Sequence, residues 1–273
     1  MFFRTKRVFT SSRSAEKTRK YFAMRIGVSA VFFLVLLGLI SWASWIPKIN
    51  IQRVTISGNT TVSEEDIRTY LEKRIKGGYL YIFSRANVFL FQPRVVEKEL
   101  RDLFKKIKRV EVSRDSFESI VVRISERKPY YLWCDKNLST GNSQSCYFLD
   151  IDGFTFAPAP YFSGFVYFKF FKTLTSEGGS PLGTAFLSEG EFKRVIGFRN
   201  ALRELNVDAY ALEVLEKGDY EFLLTDGAKI IFHPKQDFIV TSDNLAATFN
   251  TEQFINKKKR GFSLEYIDLR FDN

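Results

Sequence analysis

The chain has 273 residues, 45% of them hydrophobic and 26% charged, with a formal net charge of +10 and two cysteines. That length suits roughly two domains plus a terminal segment, and that apolar fraction excludes a disordered chain. The charge is local: residues 1–25 hold eight Lys and Arg against Glu16 alone, +7 of the +10, which leaves no general basic surface of the kind nucleic-acid binding requires.

After this basic tail, Ile26 to Pro47 contains no charged residue. A helix needs about 20 apolar residues to cross ~30 Å of hydrocarbon, and Trp42 and Trp45 at the far end suit the membrane interface before Pro47 stops the helix. The positive-inside rule keeps residues 1–25 cytoplasmic and sends 48–273 outward. The other reading is a cleaved signal peptide, with Ser41-Trp42-Ala43 as a small-x-small site, but the basic region and the apolar run are both long for one. Cys134 and Cys146 then lie in the exported part, around the polar stretch DKNLSTGNSQS. A disulfide clipping that loop and two buried free thiols are both open readings. Asn59-Thr-Thr61 and Asn137-Leu-Ser139 match a glycosylation sequon that matters only in a eukaryotic secretory pathway.

The first exported segment opens with a strand carrying Val54 and Ile56, a turn at Gly58-Asn59, and a helix capped by Ser63 with Asp66 three residues on. Ile67, Tyr70, Leu71 and Ile75 share that helix's apolar face. A second helix begins near Pro93, with Val96, Leu100, Leu103 and Phe104 as its stripe. Strands at 109–114 and 119–127 complete a β-α-α-β-β order. Between the helices, Tyr79 to Phe91 (YLYIFSRANVFLF) is aromatic enough for an exposed patch near the membrane, or for packing between the two helices.

From Tyr130 the texture changes to short strands: YYLWC, CYFLDIDGFTF with an Asp152-Gly153 turn, and FVYFKFFK at 165–172. Ser188 with Glu191 signals a helix near 188–205. The strands ALEVLE, YEFLLTD and AKIIFHP follow, separated by Gly218-Asp219 and Asp226-Gly227. A weaker helix near 242–256 precedes the closing LEYIDLRFDN. There Ile267, Leu269 and Phe271 alternate with Tyr266, Asp268 and Arg270, so one face of a strand meets a core. Little chain follows that strand, so its far side is expected to need a neighbour from an earlier strand or from another protein. A meander of strands with one or two helices is a sheet covered on one face.

The pattern I..V.I.GN..VS...I...L, followed by V...L...F..I..V.V.R and VVRI.ERKP, resembles a polypeptide-transport-associated (POTRA) domain. It is most similar to the single such domain of the bacterial division family FtsQ/DivIB. Tyr147 to Gly153 resembles that family's D..G hairpin and Tyr266 to Phe271 its terminal signature, so the resemblance runs through nearly the whole chain. The expected class is α+β: a basic cytoplasmic tail (1–25), a transmembrane helix (26–47), a POTRA domain (48–128), and a β-domain (129–273) with a mostly antiparallel sheet under one or two helices.

The resemblance implies a bitopic, non-enzymatic scaffold at the division septum that gathers FtsB-like and FtsL-like partners. Its last strand would be an exposed edge to which a partner strand adds. Carried over by position, Tyr266, Ile267, Asp268, Leu269, Arg270 and Phe271 form the partner-binding segment, with the backbone pairing, Arg270 meeting an acidic residue and Phe271 contacting the partner. Strict alternation puts Phe271 on the core face instead, which a bulge would resolve.

Enzyme chemistry has little to build on. The one histidine, His233, sits beside Pro234 with no nucleophile near it, and G-x-S-x-G, P-loop and H-E-x-x-H motifs are all missing from the sequence. Asp150 and Asp152 flank a glycine turn and serve its geometry. No metal, cofactor or small-molecule substrate is expected. The competing readings are a membrane-anchored POTRA assembly or translocation factor and a peptidoglycan-binding module.

Overall fold

The computed structural model of the chain describes residues 12–135, 145–173, 180–252 and 265–270. Its contacts resolve into two compact units: one of residues up to 57, 63–97 and 111–123, the other of 58–62, 98–110 and 124 onward.

Helix α1 (Ser12–Ser44) contains the apolar stretch Arg19–Ser44, long and apolar enough to cross a membrane and largely exposed, with only Ser44 at its end buried. It is followed by β1 (Arg53–Ser57), α2 (Glu64–Ile75), the short strands β2 (Gly78–Tyr79) and β3 (Phe83–Ser84), α3 (Pro93–Leu103), β4 (Ile107–Arg114) and β5 (Ser119–Glu126). The order is thus β-α-α-β-β with an extra two-stranded hairpin between the helices. In the three-stranded sheet β5 is central, parallel to β1 and flanked by β4. Ser63 caps α2, its hydroxyl accepting from Asp66 N–H, and Ile67 and Leu71 are buried. Pro93 opens α3, where it forfeits no helical hydrogen bond, and Val96 and Leu100 are buried. Leu103, expected on the apolar stripe, is exposed at the helix end.

The end of α1 is fastened rather than tethered. Ser41 Oγ and Trp45 Nε1 both donate to Ile82 O (2.6 and 3.0 Å), and Ser44 Oγ accepts from Ser84 N–H (3.2 Å). The side-chain amides of Asn50 and Asn87 donate to Ser44 O (3.0 and 3.2 Å), satisfying a carbonyl that the helix end leaves without a partner.

Within the second unit, two sequence motifs prove to be halves of one knot. Gly58 has φ +85°, and a Cβ there would stand 2.1 Å from Ile124 O, so only glycine fits. The loop it starts is gripped by Glu126, whose carboxylate accepts the N–H groups of Thr60 (2.6 Å), Thr61 (2.9 Å) and Val62 (3.0 Å) and the hydroxyls of Thr60 and Thr61. Partial burial alone would raise the Glu126 pKa, but the Thr61 hydroxyl and these amides outweigh it and hold the value at about 2.

The remaining strands are β6 (Tyr131–Asp135), β7 (Cys146–Leu149), β8 (Thr155–Ala159), β9 (Phe168–Lys172), β10 (Ala209–Val214), β11 (Tyr220–Leu224), β12 (Lys229–Phe232) and β13 (Tyr266–Asp268), with α4 (Glu189–Glu204) and α5 (Phe238–Phe249). They form one eight-stranded sheet in the order β13-β12-β11-β10-β9-β6-β7-β8. Four neighbouring pairs are antiparallel, and three, β6/β9, β9/β10 and β12/β13, are parallel. The expected meander is therefore interrupted. Helices α4 and α5 each lie between consecutive parallel strands, as a parallel pair requires of its connection.

Both helices cover one face of this sheet. Phe192, Val195, Phe198 and Leu202 of α4 and Phe238 and Leu245 of α5 join Trp133, Phe168, Phe170, Leu212, Phe222, Ile230 and Phe232 in one core, against which Ile267 and Leu269 also pack. Ser188 caps α4 as its sequence suggests. Helix α5 starts four residues before the expected 242, because Asp237 accepts the N–H groups of Ile239 and Val240.

Candidate functional site: the C-terminal sheet edge

Strand β13 closes one end of the eight-stranded sheet. It runs parallel to β12 with Ile230 opposite Ile267 and Ile231 opposite Asp268. In a parallel ladder, alternate residues turn both backbone groups to the same side. Leu269 N–H donates to Ile231 O (2.8 Å) and Glu265 O accepts from Lys229 N–H (3.1 Å), so the odd-numbered residues face β12. The N–H and C=O of Tyr266 and Asp268 therefore face outward, where no strand among the described residues lies. The side chains follow the alternation expected from sequence: Ile267 and Leu269 touch the core, and Tyr266 is exposed.

Arg270, just past the strand, and two residues distant in sequence hold it in place. Arg270 clamps Asp268, with Nε and Nη2 on its carboxylate (2.9 and 2.6 Å), and reaches Asp219 through Nη1 (3.1 Å). Gln236 donates its side-chain amide to Leu269 O. Hydrogen bonding from Arg270 pulls the Asp268 pKa below the ordinary carboxylate value, and Asp268, then Asp219, raises that of Arg270. The Arg270 backbone N–H is also taken, by Asp268 Oδ1 (3.1 Å). Of the segment expected from sequence, Tyr266, Ile267, Asp268, Leu269 and Arg270 are thus brought together on one edge; Phe271 lies outside the described residues. Regular strand extends over Tyr266–Asp268 only. Sequence reading missed Gln236 and Asp219, since nothing local to either residue marks a partner 33 or 51 positions away.

The other singled-out residues have structural partners. Cys134 and Cys146 face each other across β6 and β7 with Cα atoms 4.1 Å apart and are joined as a disulfide; the loop between them, 136–144, lies outside the described residues. Asp150 Oδ1 accepts the N–H groups of Asp152 (2.9 Å) and Phe154 (3.0 Å) while Oδ2 takes the Arg127 guanidinium, so this carboxylate organises a turn. His233 Nδ1 accepts Lys235 N–H (3.2 Å) in the turn before α5. Among the described residues no cluster of His, Cys, Asp or Glu could hold a metal ion.

Residues 49–127 match the family model described as POTRA domain, FtsQ-type. This stretch is an FtsQ-type POTRA domain. The match covers β1 to β5 and ends one residue after Glu126, so the Gly58 loop and the carboxylate that grips it both lie inside the POTRA domain. With α1 ahead of it, the chain places this FtsQ-type domain directly after a helix of membrane-spanning length. No curated protein matches the chain. The two readings of Tyr79 to Phe91 each hold for part of it: Val88 and Phe91 are buried, whereas Tyr79, Leu80, Tyr81, Ile82, Phe89 and Leu90 are exposed.

Proposed function

We propose that this chain is a non-enzymatic, bitopic membrane scaffold of the bacterial division machinery, and that β13 accepts a strand from an FtsB-like partner by β-augmentation. One observation carries the reading: β13 is paired on its β12 side, and its outward backbone groups, on Tyr266 and Asp268, meet no described strand. The FtsQ-type POTRA domain and an apolar helix of spanning length support the setting. In it, residues 1–25 face the cytoplasm, the later domains stand on the outer face at the septum, and an FtsL-like protein joins the assembly. The domains are bounded at 48–128 and 129–273. The clamped Arg270 presents part of its charge at the strand end, where an acidic partner residue can share it.

The test is binding of the full chain, in detergent, to the outward segment of the same organism's FtsB-like protein. Asp268→Pro removes an outward N–H and leaves the β12 ladder intact, which an edge strand tolerates. Asp268→Ala removes the carboxylate and keeps the N–H. Binding lost with proline and kept with alanine supports the edge. No binding by the wild-type chain would favour a POTRA assembly factor, or a glycan-binding module if the chain pulls down peptidoglycan instead.

A further inference from the structure

The β2–β3 hairpin has a tip unsuited to water. Ile82 N–H donates to Tyr79 O (2.9 Å), and both residues of the turn between them, Leu80 and Tyr81, have positive φ (50° and 61°). Asn and Gly take that conformation at low cost, whereas a larger side chain is strained in it. Here it holds a leucine 87% exposed and a tyrosine 96% exposed. Such an outlier points to a use for the side chains it displays. Beside it, Phe89 and Leu90 are exposed on a second loop, where Phe89 N–H is held by Asn87 Oδ1 (3.0 Å) and Val88 N–H by Ile49 O (2.9 Å).

Both loops are pinned to the exit of α1: the hairpin through Ile82 O and Ser84 N–H, the second loop through Asn87 on Ser44 O. Gly77 to Ser84 carries no charge, so none has to be desolvated there, and the guanidinium of Arg85 next to it lies over the Tyr79 ring (5.5 Å), a cation–π contact that an interfacial depth tolerates. Trp42 stands in the last helical turn and Trp45 directly after it, the level at which indoles mark the interface.

We infer that Tyr79 to Ile82, with Phe89 and Leu90, is a second membrane contact, seated in the headgroup–acyl boundary of the leaflet from which α1 emerges. The inference rests on the membrane-anchoring reading of α1. Lipid is the occupant because the patch is fixed by hydrogen bonds to the helix end that would leave the bilayer there, and an apolar tip at that level meets lipid before any protein. Phe117, 5.8 Å from Phe89, is flanked by Asp115 and Glu118 and is left out of the contact.

The experiment places a nitroxide at residue 81 (Tyr81→Cys) in the full chain, reconstituted into phosphatidylcholine–phosphatidylglycerol vesicles with the native disulfide intact. Companion labels sit at Val35→Cys in the apolar helix and at Glu65→Cys, at the opposite end of α2 from the hairpin. Collision with oxygen and with a water-soluble nickel chelate gives the depth of each. The label at 81 is expected about 5 Å or more below the phosphate plane, the depth of an interfacial apolar face, with 65 in water. If 81 is as accessible to nickel as 65 while 35 is deep, the hairpin contact is overturned and the anchor stands. If 35 is also in water, the anchoring reading falls and takes this contact with it.

Discussion

The two edges of the eight-stranded sheet are guarded differently. At β8, Thr155 donates its N–H to Thr184 O and accepts Gly183 N–H (both 2.8 Å), Phe186 N–H reaches Gly153 O (2.9 Å), and Pro158 removes a donor farther along. At β13, the described residues supply no covering segment and no proline, only the Asp268–Arg270 pair at the strand's end. Unpaired strand edges invite further strands, and proline, short length and covering loops are the usual protections. One edge of this sheet uses two of these, and among the described residues the other has little beyond shortness and a charge pair, the difference on which the proposed strand addition rests.

The largest expected effect comes from undoing the β8 cover. Gly153 has φ +78°, and a Cβ there would stand 2.6 Å from the buried Phe192 ring. Gly153→Ala should cost about 3 kcal/mol, from left-handed strain plus overpacking, read as a lowered denaturant midpoint. At the other edge, Asp268→Pro should weaken binding of a partner strand about tenfold or more, from a lost hydrogen bond and poorer seating, with the midpoint nearly unmoved. The reciprocal change, Pro158→Val, restores an N–H to β8 and should raise self-association measured by light scattering; if it does not, the covering segment alone protects that edge.

Acid should separate the edges more gently. The Asp268 pKa is lowered in the folded state, so its contribution is present above the unfolded carboxylate value and is lost as pH falls through the folded one. As pH falls through that lowered folded-state value the Asp268–Arg270 pair releases, and the Leu269 amide on Ile231 O should lose hydrogen-exchange protection while Thr155 on Thr184 O keeps it. The smallest effect concerns the POTRA hairpin. Leu80→Asn with Tyr81→Gly should raise stability by about 1 kcal/mol by relieving two positive φ angles, as expected of side chains kept for contact rather than for folding.

Much of this was legible in the sequence, where local chemistry decides. Ser63 and Ser188 cap the helices their spacing announces, Pro93 opens α3, and the alternation of Ile267 and Leu269 gives the correct core face. The POTRA motifs were legible as a pattern before they had a mechanism, because the bond from Glu126 to the Thr60–Val62 loop spans more than sixty residues. The parallel pairings escape a reading in which the helices only cover the sheet; strand, helix, strand in succession at β9-α4-β10 and β12-α5-β13 is the sign that they are connections. Helix α5 was placed late because Asp237, its cap, stands in a polar turn that reads as loop.

The clasp at the end of α1 turns a tether into a shaft. With Ser41, Trp45, Asn50 and Asn87 all bonded across that junction, the first compact unit has no free swivel about the helix axis. For a chain anchored through α1, each rotation of the helix in the bilayer becomes a rotation of that unit, about 100° for every one-residue change in helical register. A partner that packs against the apolar helix can thereby choose which side of the POTRA domain is presented, applying torque from within the membrane to a surface that it never touches.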